Sequence, residues 1–233
     1  MFPSLPGRRW WHVRRFEGLL LSLACMFLLN IIFPGKIYGG AAQACYLPLQ
    51  LLAGINLYGR LRPGFWAASL TALGILALHP FQALAQMPRA LQLCQLILHG
   101  LFFCIVLLEL FSQLYRAQTH RLHLDARQTL CAGLCGLLLI GYSGFFLFLL
   151  LESFQPGSFR GPDPAGVSLQ DLFYFSYISL MTIGYGDITP VSWAARNATV
   201  LVALSANIYS LVVIASIVGR TFASRPPDRP DQD

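Results

Sequence analysis

Of 233 residues, 56% are hydrophobic and 11% charged, at a mean hydropathy of +0.59, whereas an ordinary soluble domain is roughly one-quarter charged. That balance excludes a soluble globular protein and indicates an integral membrane protein. The formal net charge of +6 belongs to no soluble basic domain that could bind nucleic acid, so it reads as membrane topology and contact with anionic lipid.

A helix needs about 20 mostly apolar residues to cross the hydrocarbon core. Six stretches are candidates: 17–33, 41–58, 64–79, 91–115, 129–151 and 197–219, of which the second and third are short. The first follows the basic flank "RRWWHVRRF", as a signal peptide would. Its far end, "NIIFPGK", has no small-residue cleavage pattern, so a retained helix is expected.

Charge between the spans sets orientation. With a cytoplasmic N-terminus, the inner side receives Arg8, Arg9, Arg14, Arg15, Arg60, Arg62, Arg116, Arg121, Arg127, Arg220, Arg225 and Arg229. The outer side keeps Lys36, Arg89, Arg160 and Arg196. This asymmetry supports six spans with both termini cytoplasmic.

The cysteines, Cys25, Cys45, Cys94, Cys104, Cys131 and Cys135, all fall inside apolar spans. Cys131 and Cys135 share a helix face and read as small buried hydrophobes rather than metal ligands. His79, His99, His120 and His123 make no metal spacing with a carboxylate. No catalytic or nucleotide-binding signature is present, so neither an enzyme nor a bound cofactor is expected.

The fourth span, "LQLCQLILHGLFFCIVLLELFSQLY", contains no Lys or Arg. Its one acid and its one histidine are gating candidates. Glu109, near the inner end, reaches the interface or meets Arg116. His99, in mid-span, is a proton sensor or a neutral, hydrogen-bonded imidazole.

After the fifth span comes "VSLQDLFYFSYISLM", about 14 helical residues from Ser168 to Met181. At 1.5 Å per residue they reach about 21 Å, too short to cross. Ser168 with Asp171 three residues later forms a capping pattern, and Asp171 complements the positive helix end. The next span must begin outside, so "TIGYGDITP" is expected to climb back toward the surface it came from. Irregular backbone at that depth must be buried in protein or line water. Consecutive carbonyls aimed at one axis require alternating backbone hands, and Gly184 and Gly186 supply positive φ without a side-chain clash. Four copies about an axis would stack oxygens of Thr182, Ile183, Gly184 and Tyr185, with the Thr182 hydroxyl, in place of an ion's hydration shell.

The segment "TIGYGD", Thr182 to Asp187, resembles the selectivity-filter signature of potassium channels, usually written with Val where Ile183 stands. The order span, turret ("ESFQPGSFRGPDPAGV"), half helix, filter, span is similar as well, over about 129–219. The resemblance implies that Thr182, Ile183, Gly184, Tyr185 and Gly186 line the path of K⁺ as the permeant ion. It also implies that Tyr185 braces against Tyr174 and Phe175, and that Asp187 anchors the outer mouth behind the filter. Two positions depart from the pattern. Ile178 stands where many relatives carry Glu or Val, so that position offers Asp187 no carboxyl partner. Ala206, followed by Asn207, stands where a glycine hinge is expected, which leaves Ala206 as a gating candidate. Six spans with the pore last also resembles voltage-gated channels, whose fourth span carries arginines at every third position. Steep voltage dependence needs about 3 to 4 gating charges per subunit, so little intrinsic voltage sensitivity is expected.

In the last span Ala203, Asn207, Ser210 and Ile214 form one helical stripe, facing a water-filled cavity or serving close helix packing. The tail "RTFASRPPDRPDQD" has a disordered composition.

The expected protein is an all-α integral membrane channel with six transmembrane helices, a re-entrant pore helix and a filter loop. It would be a homotetramer in the lipid bilayer of the plasma membrane, passing K⁺ passively and binding no nucleic acid. Its parts would be a basic cytoplasmic N-terminus (1–16), a four-helix peripheral bundle without gating charges (17–116), a cytoplasmic linker (117–128), the pore domain (129–219) and the cytoplasmic tail (220–233). Two alternatives are a partner-driven K⁺ uptake subunit, whose fold would usually repeat the motif within one chain, and a non-conducting regulatory subunit of a heteromeric potassium channel.

Overall fold

The computed structural model describes residues 15–33, 46, 48–54, 63–82, 88–119 and 126–223. Arg8, Arg9, Arg14, Lys36, Cys45, Arg60, Arg62, His120, Arg121, His123, Arg225 and Arg229 lie outside them. The elements in order are α1 (Arg15–Ile32), α2 (Pro63–Gln82), α3 (Arg89–Thr119), α4 (Ala126–Phe154), β1 (Phe159–Arg160), α5 (Leu169–Leu180), β2 (Thr189–Pro190) and α6 (Trp193–Ala223). The all-helical expectation is met apart from the short antiparallel ladder, in which Phe159 faces Pro190 and Arg160 faces Thr189.

Among the described residues, three helices are long and apolar enough to cross a membrane: Arg89–Arg116, Arg127–Phe154 and Trp193–Ser216. The first and third expected spans are represented by the shorter apolar runs Phe16–Ile32 and Ala68–Leu78. Of the second, residues 48–54 are helical.

The centre of the fold is α4. It packs against α1, α3, α5 and α6, while α2 packs on α3 and α5 touches α6. Its membrane-length window is 61% buried, against 28% for α3 and 22% for α6. Glycines explain how so many neighbours approach it. Where Gly136 lacks a Cβ lies the Tyr209 ring of α6; Gly141 faces Tyr177 of α5, and Gly144 faces Ser176 and Val202. Without a hydrophobic drive between helices in lipid, such close contacts and interhelical hydrogen bonds supply the association. Here the tyrosine hydroxyls supply those bonds: Tyr209 donates to Ala132 O at 2.6 Å and Tyr177 to Leu138 O at 3.0 Å.

The other face of α4 meets α3 through stacked rings. Phe103 lies on Tyr142 with centroids 4.9 Å apart and an interplanar angle of 10°, and His99 on Phe146 at 5.3 Å and 20°. The fourth apolar stretch of the chain is therefore docked directly onto the fifth, an arrangement that hydropathy could not reveal. From α1, Phe27 packs on Phe173 and Tyr177, Glu17 pairs with Arg127 at 3.2 Å, and Phe16 O accepts from the Cys135 thiol. Hydroxyls on α6 turn back to their own helix, Ser205 to Leu201 O and Ser210 to Ala206 O, as polar groups in an apolar medium must.

Candidate functional site

The site is the loop from Met181 to Asp187 together with the short helix that leads into it. The helix α5 spans 12 residues, about 18 Å at 1.5 Å per residue. It starts with the capping pair: the Asp171 amide donates to Ser168 Oγ at 3.2 Å, and the Ser168 amide to Asp171 Oδ2 at 2.7 Å. Two free helix-end donors are satisfied reciprocally, and a carboxylate sits at the positive end.

The helix ends in a Schellman turn. The Thr182 amide donates to Ser179 O at 3.1 Å, and the Ile183 amide to Ile178 O at 2.9 Å. Thr182 takes the left-handed position, with φ +57°, where glycine is usual. A side chain there costs about 1–2 kcal/mol. Gly184 and Gly186 follow with φ +57° and +80°. Positive φ thus recurs at every second residue from 182 to 186. The two glycines are where sequence reasoning placed it; the threonine is an addition.

All seven loop residues are exposed on the single chain, Tyr185 at 72%. Among the described residues, the carbonyls of Thr182 to Gly186 accept no backbone hydrogen bond. A run of oxygens with free lone pairs is available along the loop.

Behind the loop, Tyr174 of α5 lies beside Asp187, whose Oδ1 accepts from the Ile188 amide at 3.0 Å. Ile178 contributes through its backbone, since its carbonyl takes the Ile183 amide and, at 3.4 Å, the Gly184 amide. Phe175 is 4% exposed and packs on Phe148 of α4 and Phe159 of β1, centroids 5.3 and 5.5 Å away. Tyr174 before it is 37% exposed, since consecutive helical residues do not share a face.

Past the loop the chain is held to the segment that precedes α5. The amides of Val191 and Ser192 donate to Ser158 O at 2.8 and 3.3 Å, and Ser192 Oγ to Ser158 Oγ at 3.1 Å. Ser192 also caps α6, accepting from the Ala195 amide at 3.1 Å. Glu152, at the end of α4, accepts the amides of Gly157 at 2.7 Å and Phe159 at 3.1 Å. Neither Glu152 nor Ser158 was singled out by sequence, since neither belongs to a periodic pattern or a spaced motif.

On α6, Asn207 and Ile214 are exposed, while Ala203 and Ser210 are half-buried. Ala206 is 2% exposed, within a helix that runs unbroken from Trp193 to Ala223. His99 and Glu109 are on α3, apart from the loop's own hydrogen bonds: His99 Nδ1 is 2.8 Å from Gln95 O, and Glu109 accepts from Gln113 Nε2 at 3.1 Å.

Residues 133–223, from α4 through the loop to α6, match the family model described as "Ion channel". The chain is 27% identical over 211 residues to "Voltage-gated potassium channel Kch" of Escherichia coli (strain K12), covering 89% of this chain and 42% of that protein. It is 30% identical over 119 residues to "Protein LctB" of Geobacillus stearothermophilus, covering 48% of this chain and 87% of that protein. The chain thus spans about two-fifths of the length of the first relative. No solved structure matches. The glycine-bearing loop, the helices that carry it and these similarities agree: the chain belongs to the potassium channel pore-domain family of ion channels, and is a membrane transport protein rather than an enzyme.

Proposed function

We propose that the chain is one subunit of a homotetrameric, K⁺-selective channel in which residues 182–186 of four copies form the conduction path. The observation that carries this reading is the recurrence of positive φ at residues 182, 184 and 186, in a loop whose carbonyls accept no backbone bond among the described residues. Alternating hands turn successive carbonyls to one side. A single copy offers one wall of oxygens, and four copies make rings able to replace a dehydrated ion's water. The α5 C-terminus adds the negative end of a helix dipole near the loop, which favours a cation.

The same exposure argues for assembly. Bare carbonyls at membrane depth are tolerated only when buried in protein or lining water, and neighbouring subunits around an aqueous path meet that condition. The loop re-enters from the outer side and returns to it. Tyr174 of α5 lies beside Asp187 at the loop's outer end. Asn207, exposed on α6, faces the cavity below the filter.

Six spans with both termini cytoplasmic follow from the placement of Lys and Arg, and the plasma membrane is the bilayer crossed. The E. coli relative is named as voltage-gated. In this chain α3 has Arg89 near one end, Arg116 near the other and no Lys or Arg between, against about 3 to 4 gating charges per subunit for steep voltage dependence. The current is therefore nearly flat in voltage.

The test is a recording from purified full-length protein in planar bilayers, with Na⁺ substituted for K⁺, voltage stepped, and Gly184→Ala alongside. A K⁺-selective current abolished by Gly184→Ala is expected, because alanine resists φ +57° by about 1–2 kcal/mol in each of the copies. A wild-type current that passes Na⁺ as readily as K⁺ would refute the reading.

A further inference from the structure

Four side-chain contacts fix the short helix α5 to the rest of the chain at one level, and all involve two adjacent residues, Ser176 and Tyr177. Ser176 Oγ donates to Gly141 O at 2.8 Å and is fully buried. The Tyr177 hydroxyl donates to Leu138 O at 3.0 Å. The Tyr177 ring lies where a side chain on Gly141 would stand: a Cβ there would be 2.9 Å from the hydroxyl and 2.5 Å from the ring carbon that bears it. From α1, Phe27 closes over the same ring edge-on, with centroids 5.0 Å apart and an interplanar angle of 82°.

The backbone carries this anchor straight into the loop. Tyr177 O accepts the Met181 amide at 2.9 Å, and Ile178 O accepts the Ile183 amide at 2.9 Å and the Gly184 amide at 3.4 Å. The path therefore runs from the α4 carbonyls, through two hydroxyls, into the carbonyls of residues 177 and 178, and out to the amides of residues 181, 183 and 184. Hydrogen bonds form both ends of the path, and the covalent frame of residues 176–178 joins them. A shift of the Tyr177 ring moves the peptide groups of Ile183 and Gly184 with it.

We propose that Tyr177, keyed into the Gly141 notch with Ser176 beside it, is a positioning residue that sets K⁺ over Na⁺ discrimination by fixing the placement of the Ile183 and Gly184 peptides. The proposal rests on the reading of residues 182–186 as the filter. It gives α1 a part in permeation as well, because Phe27 holds the Tyr177 ring against the notch. Tyr177 touches no permeant ion and acts through the backbone of the residues after it.

The experiment compares permeability ratios from reversal potentials of the full-length channel in bilayers: wild type, Tyr177→Phe, Ser176→Ala, Gly141→Ala and the double variant Gly141→Ala/Tyr177→Phe. Tyr177→Phe keeps the ring and deletes the bond, and is expected to lower the K⁺ to Na⁺ permeability ratio about fivefold, the equivalent of one ordinary hydrogen bond, with single-channel currents still present. Ser176→Ala should act in the same direction. Gly141→Ala displaces the ring and so already includes the loss of its hydroxyl contact; it should lower the ratio at least as far, and adding Tyr177→Phe should change little more, a non-additivity expected of groups in contact. A merely structural role would lower the melting temperature and leave the ratio of surviving channels untouched. Wild-type ratios in Tyr177→Phe, Ser176→Ala and Gly141→Ala would overturn this proposal alone, while a wild-type channel without K⁺ selectivity would overturn the filter reading and the proposal with it.

Discussion

Substituting alanine at Gly136 tests whether helix proximity at α4 holds the fold together. The missing Cβ leaves room for the Tyr209 ring, whose nearer ortho-side edge carbon Cε1 would lie 2.6 Å from a new methyl, with the hydroxyl end closer still. That ring cannot swing freely. It is 1% exposed, packs edge-on against Phe111 at 5.1 Å, and its hydroxyl is committed to Ala132 O. Overpacking a tight contact costs about 1–3 kcal/mol, and loss of the hydroxyl bond about 1 kcal/mol more. The better helix propensity of alanine returns about 0.5–1 kcal/mol. The balance is a destabilisation of about 1–3.5 kcal/mol. Tyr209→Phe, which removes the hydroxyl and leaves the ring in the notch, should cost only about 1 kcal/mol. Reversible unfolding of the purified chain by dodecyl sulfate in mixed micelles reads both values. If Gly136→Ala unfolds within about 0.5 kcal/mol of wild type, a span usual for surface substitutions, the close approach of α6 to α4 is not a source of stability and the reasoning fails.

Glu152→Gln keeps shape but leaves one oxygen to serve the two amides of Gly157 and Phe159; charge-assisted bonds contribute about 1.5–3 kcal/mol, so amide hydrogen exchange at these residues should quicken about tenfold or more, and unchanged protection would refute the clamp. Thr182→Gly removes the strain of a side chain at φ +57° and adds the unfolded-state freedom of glycine, so stability should stay equal or rise by up to about 1 kcal/mol. The same variant loses the hydroxyl and should weaken K⁺ selectivity. A drop in melting temperature together with intact selectivity would contradict both halves of that expectation.

Much of the site was legible because its signals are local. The capping pair Ser168 and Asp171, the short apolar run after it and the glycines at 184 and 186 each follow from backbone chemistry within a few residues. The left-handed Thr182 escaped because a β-branched residue ordinarily signals extended backbone, and the turn that captures it depends on where α5 stops. The pairing of Glu152 with backbone amides five and seven residues on left no periodic trace. Helix partners were illegible for a different reason. The glycines at 133, 136, 141 and 144 mark α4 as a surface others can approach closely, but only the fold shows that Val213, Tyr209, Tyr177 and Ser176 are what approach.

The ladder between Phe159–Arg160 and Thr189–Pro190, with Ser158 bonded to Val191 and Ser192, closes the chain around the loop at its base. Residues 162–166 lie within the closed segment, between β1 and α5, and are exposed. The entropic cost of closing a loop grows slowly with its length, by about 0.6 kcal/mol per doubling, so extra sequence placed there would cost little. This surface loop is therefore a natural graft point: an epitope or fluorophore peptide inserted between Pro162 and Pro164 would protrude from the protein while the backbone from Met181 to Asp187 keeps its present course.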